Sequence, residues 1–182
     1  MALTYSPDPD LGKTCPDFNL PGVDGKNYSL ENFSGAPALL VMFICNHCPY
    51  VIAIEDRLVQ LGHDLKSLQV PLVAISSNNA EKYTEDSFEK MKLKTSEKKY
   101  PFVYLYDESQ EIAKKFGAVC TPDFFLYDQS LKLTYRGRLD DSWKDSSKVT
   151  SRELYQAVLE TMAHRKISIP QTPTMGCNIK WK

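Results

Sequence analysis

The sequence has no excess of charge, no long apolar run, no internal repeat and no low-complexity segment, and each absence removes a class of function. Basic and acidic residues number 22 and 23, for a net charge of −1. They are interspersed along the chain, so neither nucleic acid nor an anionic membrane surface is an expected partner. The longest apolar run, residues 38–44, falls well short of the ~18–20 residues that a membrane span needs. The opening stretch Met1-Ala2-Leu3-Thr4-Tyr5-Ser6-Pro7-Asp8 lacks the basic and apolar regions of a signal peptide. A cytoplasmic location is therefore expected. In such a reducing compartment the five cysteines read as reactive or buried thiols, not as a disulfide framework. A structural zinc site is not expected either. It needs about four ligands, and Cys120, Cys177 and the three histidines show no paired spacing that would complete one with Cys45 and Cys48.

What remains is an ordinary globular composition, 42% apolar and 25% charged over 182 residues, enough for one soluble domain with a full core. We place that domain at residues 1–167. Residues 168–182 are rich in proline and without period, and read as an extended tail.

The informative feature is Cys45-Asn46-His47-Cys48, because of where it lies. The apolar run before it reads as a buried strand. After it, Val51, Ile54, Leu58, Leu61, Leu65 and Leu68 repeat at the spacing of one helical face. Two cysteines thus stand where a core strand meets a helix N-terminus, whose unpaired N–H groups and partial positive charge favour a thiolate. Elsewhere the pattern predicts a hairpin from 17–20 and 26–30, a strand at 70–75, a charged helix at 85–97 and a strand at 102–106. A helix then opens on an Asp107/Gln110 capping box. Strands at 124–127 and 131–136 follow, and a last helix opens on a Thr150/Glu153 capping box. This order gives a three-layer α/β fold with a mixed central sheet and helices on both faces.

The run Phe43-Ile44-Cys45-Asn46-His47-Cys48-Pro49, followed far along the chain by Cys120-Thr121-Pro122-Asp123, resembles the thioredoxin fold. Cys15-Pro16-Asp17-Phe18-Asn19-Leu20, the hairpin after it and the extra helix at 85–97 resemble the alkyl hydroperoxide reductase/thiol-specific antioxidant branch, the peroxiredoxin-like family. The ending Met175-Gly176-Cys177-Asn178-Ile179-Lys180-Trp181-Lys182 resembles that of bacterial thioredoxin-family or thiol-disulfide isomerase proteins. The resemblance implies a thiol-disulfide oxidoreductase. Cys45 would be its exposed, acidic nucleophile, and Cys48 the more buried resolving thiol. Asn46 and His47 would tune the pair, a protonated His47 stabilising the Cys45 thiolate. Pro122 would be the family's cis-proline, turning the Thr121 backbone toward an incoming peptide. Thioredoxins carry a buried acid where this chain has Leu39, so Asp123 is the candidate proton acceptor for Cys48.

Two alternatives stand beside this reading. A peroxiredoxin-like peroxidase would work through Cys45 sulfenic acid. Its Pro-x-x-x-Thr/Ser-x-x-Cys pattern is absent, since counting back from Cys48 gives Cys45 and Val41, and from Cys45 gives Met42 and Ala38. A soft-metal module would hold its ion through Cys45, Cys48 and His47. The expected partners are a disulfide-containing protein, or a small thiol or peroxide, and an external thiol electron donor; no cofactor and no resident metal are called for. Cys120 and Cys177 are possible additional thiols, Cys120 read as turned away from the pair and Cys177 as docking with the tail. Cys15 reads as a packing residue.

Overall fold

The computed structural model describes residues 3–182. Its centre is β4 (Ala38–Phe43), buried at every position. A strand that presents no polar face must be covered on both sides, and this one is. In chain order the strands before it are β1 (Leu3–Tyr5), β2 (Asn19–Pro21) and β3 (Asn27–Ser29). After it come α1 (Pro49–Ser67), β5 (Leu72–Ser76), α2 (Phe88–Lys98), β6 (Val103–Tyr106) and α3 (Glu111–Phe116). The chain then runs through β7 (Cys120–Thr121), β8 (Asp123–Asp128), β9 (Leu133–Arg136), α4 (Glu153–Met162) and β10 (Met175–Asn178).

The main sheet has the order β6-β5-β4-β8-β9. Strands β4, β5 and β6 are parallel, while β8 runs antiparallel to both β4 and β9. The mixed sheet expected from the sequence is therefore present, and its strand alternation sorts two cores. Leu40 and Met42 of β4 and Phe124 and Leu126 of β8 face Val51, Ile54, Leu58, Leu61 and Leu65 of α1 and Leu154 and Val158 of α4. Leu39, Val41 and Phe43 face Ile112 and Phe116 of α3, together with Cys15, Phe18 and Leu20. Leu39, at the position of the thioredoxin acid, is thus a buried packing residue. Among the described residues, no helix is long and apolar enough to cross a membrane.

Both expected capping boxes are replaced. The Asp107 carboxylate turns inward, accepting from Ser77 Oγ at 2.8 Å and the Ala113 N–H at 2.9 Å. Gln110 takes the cap position of α3 with a left-handed backbone, and its side-chain amide donates to the Ser77 and Lys180 carbonyls. At α4, Thr150 Oγ1 donates to Asp141. Glu153 instead forms a two-pronged pair with Arg138 at 2.7 and 2.6 Å. At α4 a tertiary partner outcompetes the local cap, while at α3 Asp107 still satisfies a first-turn donor, the Ala113 N–H.

The closing segment is extended, as expected, but it is built into the fold. Strand β10 pairs antiparallel with β1 on one side (Leu3↔Cys177) and with β7 on the other (Cys177↔Thr121, Asn178↔Cys120). Beyond it, Lys180 is held by Asn78, Asn79 and Gln110.

Candidate active site

Strand β4 ends and α1 begins across Cys45-Asn46-His47-Cys48. Cys48 is the N-cap of α1 with an extended backbone, and Pro49 occupies the first helical position, where its missing N–H costs nothing. The Thr121–Pro122 peptide bond is cis. Thr121 lies over the cysteine pair: its Oγ1 is 3.5 Å from Cys45 Sγ, and its carbonyl accepts from Cys48 Sγ at 3.1 Å. One correction follows. Cys45 is not an exposed thiol; it is 2% accessible and Cys48 0%, because the cis-proline segment closes over both.

The two sulfurs are hydrogen-bond partners, so the first proton of the pair leaves more easily than the second. Cys48 is drawn down to about 5 by the hydrogen bond from Cys45, against the opposing effect of burial, with help from Thr121, Cys177 and the Val51 N–H of the first helical turn. Cys45 is pushed well up by that same bond, by burial and by the charge of Asp86. Both shifts have one main cause, the bond between the two sulfurs, which lowers Cys48 and raises Cys45. The proton's alternative position is also built in, since an S–H on Cys48 points at the Thr121 carbonyl.

His47 is held by a residue the sequence reading missed. Its Nδ1 lies 2.6 Å from Asp86 Oδ2, and its ring stacks on Tyr83 with centroids 5.3 Å apart. Asp86 is fully buried and also accepts from the Asn46 N–H at 2.8 Å and from Asn78 Nδ2 at 2.7 Å. Asn46 donates through Nδ2 to the Glu85 carbonyl and accepts from Tyr104. The Cys45 surroundings are therefore set by an acid as well as by the histidine. A signal for Asp86 existed. β4 and β5 are parallel neighbours, and groups that follow adjacent parallel strands converge at their carboxyl ends. Cys45 Sγ, a His47 ring nitrogen and an Asp86 oxygen lie within 4.8 Å of one another. That set could meet a soft ion, but it differs from the Cys45, Cys48 and His47 set expected. Both Asp86 oxygens already accept hydrogen bonds.

Residues 11–136 match the AhpC/TSA family model. The chain belongs to the AhpC/TSA family. An uncharacterized conserved protein from Geobacillus kaustophilus is 44% identical over 100% of this chain and 97% of its own, with a TM-score of 0.94. Peroxidoxin BcpB from Mycobacterium tuberculosis is 17% identical, covering 85% of this chain and 97% of its own, at a TM-score of 0.63. A secreted disulfide oxidoreductase from the same organism is 18% identical, covering 78% and 94%, at 0.60. At such identities the likeness is one of fold, and the fold is the thioredoxin-like one. No curated protein matches this chain.

Two expected residues, Asp123 and Thr121, differ in their surroundings, while Cys120 is turned away from the pair as its strand position predicts. Asp123 does not face Cys48: its carboxylate pairs with Arg136 at 2.8 and 3.3 Å. Strand alternation explains this, since Phe124 points into the α1 core and its neighbours on β8 point the other way. Burial pushes Asp123 up to about 6, against the lowering effect of Arg136. Cys120 is fully buried, contacts the Pro122 carbonyl at 3.6 Å and is pushed well up by burial. The Thr121 backbone, expected to receive an incoming peptide, is already paired with β10 at Cys177. Next to Pro122 lies a cleft of about 180 Å³ lined by Tyr5, Tyr50, Ile54, Trp143 and Met175, in which Tyr50 packs on the exposed Trp143.

Proposed function

We propose that this protein is a thiol-disulfide oxidoreductase whose redox pair is Cys45 and Cys48. The observation that carries the reading is two hydrogen-bonded sulfurs at a strand-to-helix junction beneath a cis-proline segment, with a ready place for the proton at each end of its path. Placing the pair's remaining proton on Cys48 leaves Cys45 as thiolate, with the Thr121 hydroxyl within reach of it. Cys45 attacks a substrate disulfide, forming a mixed disulfide and releasing one substrate thiolate, which takes up a proton. Cys48 then attacks Cys45 Sγ, closes the Cys45–Cys48 bond and expels the second substrate thiol. Two electrons pass from the pair to the substrate, and an external thiol donor of the cytoplasm returns them. The aromatic cleft beside Pro122 suits an apolar residue next to the substrate's cysteine.

A titration against glutathione, with thiols trapped and mapped by mass spectrometry, tests this. A single reversible Cys45–Cys48 disulfide is expected. A potential near about −270 mV would make the protein a reductant, and one above about −200 mV an oxidant or isomerase. Absence of that disulfide at every poise would sink the reading. Stoichiometric sulfenate at Cys45 of a Cys48→Ser variant treated with hydrogen peroxide, in that event, would put a thiol peroxidase in its place.

A further inference from the structure

The centre holds a third sulfur. Strand β10 places Cys177 opposite Thr121, the residue whose carbonyl receives Cys48 Sγ and whose hydroxyl touches Cys45 Sγ. Cys177 is 4% accessible and lies in the same core as Cys45 and Cys48. The strand comes this close because of Gly176, where a Cβ would sit 2.2 Å from the Thr121 carbonyl oxygen. Cys48 receives hydrogen bonds from both Cys45 and Cys177, so it is the middle sulfur of three. Cys120, on the same short strand as Thr121, is directed to the Pro122 carbonyl instead.

Resting on the redox-pair reading above, we propose that Cys177 is a third redox thiol, which exchanges with Cys45 for the bond to Cys48. The step balances internally. In the oxidised protein, the Cys177 sulfur attacks Cys48 Sγ, the Cys48–Cys177 bond forms, and the Cys45–Cys48 bond breaks. Cys45 leaves as thiolate and takes the proton that Cys177 gives up. No net oxidation occurs. The middle position of Cys48 is what the exchange requires, since the attacked sulfur must be shared by incoming and leaving groups. Burial and the neighbouring Cys48 hold the Cys177 thiol up at about 12. Once Cys48 is in a disulfide its negative charge is gone and only burial remains, opposed by Lys180. The result is a free Cys45 beside a stored oxidising equivalent, with the closing strand tied to the start of α1.

The test oxidises reduced full-length Cys45→Ser protein with oxidised glutathione, blocks free thiols and maps the products by mass spectrometry. A Cys48–Cys177 disulfide is expected, with roughly tenfold less glutathionylated Cys48 than in the Cys45→Ser/Cys177→Ser double variant, as a nearby intramolecular thiol requires. Equal adduct in the two variants would overturn the proposal. Partly oxidised wild-type protein gives an answer free of any folding defect: both Cys45–Cys48 and Cys48–Cys177 peptides are expected, and Cys45–Cys48 alone overturns the third-thiol role. Failure to find Cys45–Cys48 in that same sample would instead remove the redox pair itself, and the third thiol with it.

Discussion

Cys48 and Cys15 are both buried thiols in one small fold, one on each side of the main sheet, and their electrostatics are opposite. Cys15 sits among Phe18, Phe116 and Tyr127 with little to compensate its burial, and its thiol is pushed up to about 12. Cys48 meets the same penalty but receives hydrogen bonds from two thiols, a hydroxyl and a helix N-terminus, and is drawn down to about 5. Burial alone makes a thiol inert; burial with donors makes it reactive. The linkage signs are opposite as well. Cys48, lowered on folding, adds stability that is present above the unfolded thiol range and lost as pH falls through about 5. Cys15, raised on folding, adds stability that is present below that range and lost as pH rises through about 12.

The contrast can be broken by removing donors from Cys48. Cys45→Ala deletes the largest of them, a charge-assisted bond of ~1.5–3 kcal/mol, and moves Cys48 toward Cys15 by ~1–2 pH units. Thiolate absorbance followed against pH reads the shift, and an unmoved midpoint would show that Thr121, Cys177 and the helix N-terminus set it without Cys45. Gly176→Ala drives a methyl into the Thr121 carbonyl and strains the pairing of β10 with β7, at a cost of ~1–3 kcal/mol. Denaturant melts measure that loss, and a variant as stable as wild type would mean that the strand pairing yields freely. Asp86→Asn removes the charge that helps raise Cys45. The reduced pair is stabilised, and its potential rises by ~30 mV for each pH unit of relief; a fall would show that Asp86 acts mainly by holding His47 and Asn46. Cys15→Ala, which sharpens the comparison by leaving Cys48 alone, costs about 1 kcal/mol of packing and leaves the glutathione titration unchanged.

Much of this was legible in the chain. The apolar run and the 3-4 repeat behind it mark β4 and α1 because their covering is local and periodic. The cysteine pair at their junction follows from chain order alone. The surroundings of the pair were less legible, since they come from elsewhere in the sequence. Asp86 reaches Asn46 and His47 from the loop after β5, and in sequence it reads as one more charge on a solvated helix. Asp123 stands next to the cis-proline, yet the parity of β8 and the presence of Arg136 decide where its carboxylate goes. Asp107 caps α3 at Ala113 and not through the Gln110 pairing that its spacing suggests, and the local capping signal of Thr150 is overridden by Asp141. Residues 168–182 show no period because β10 is a single short strand wedged between two others, and one strand of four residues leaves no repeat to read.

The pairing of β10 with β1 also has a consequence for vectorial synthesis. Of the described elements, β1 is made first and β10 last, and β1's ladder is formed with β10 (Leu3↔Cys177). On the ribosome the earliest strand therefore waits without its partner until every other element has emerged. The sulfur of Cys48, already covered by the Thr121–Pro122 segment, waits with it for Cys177. Among the described thiols, Cys177 is the last to join the centre.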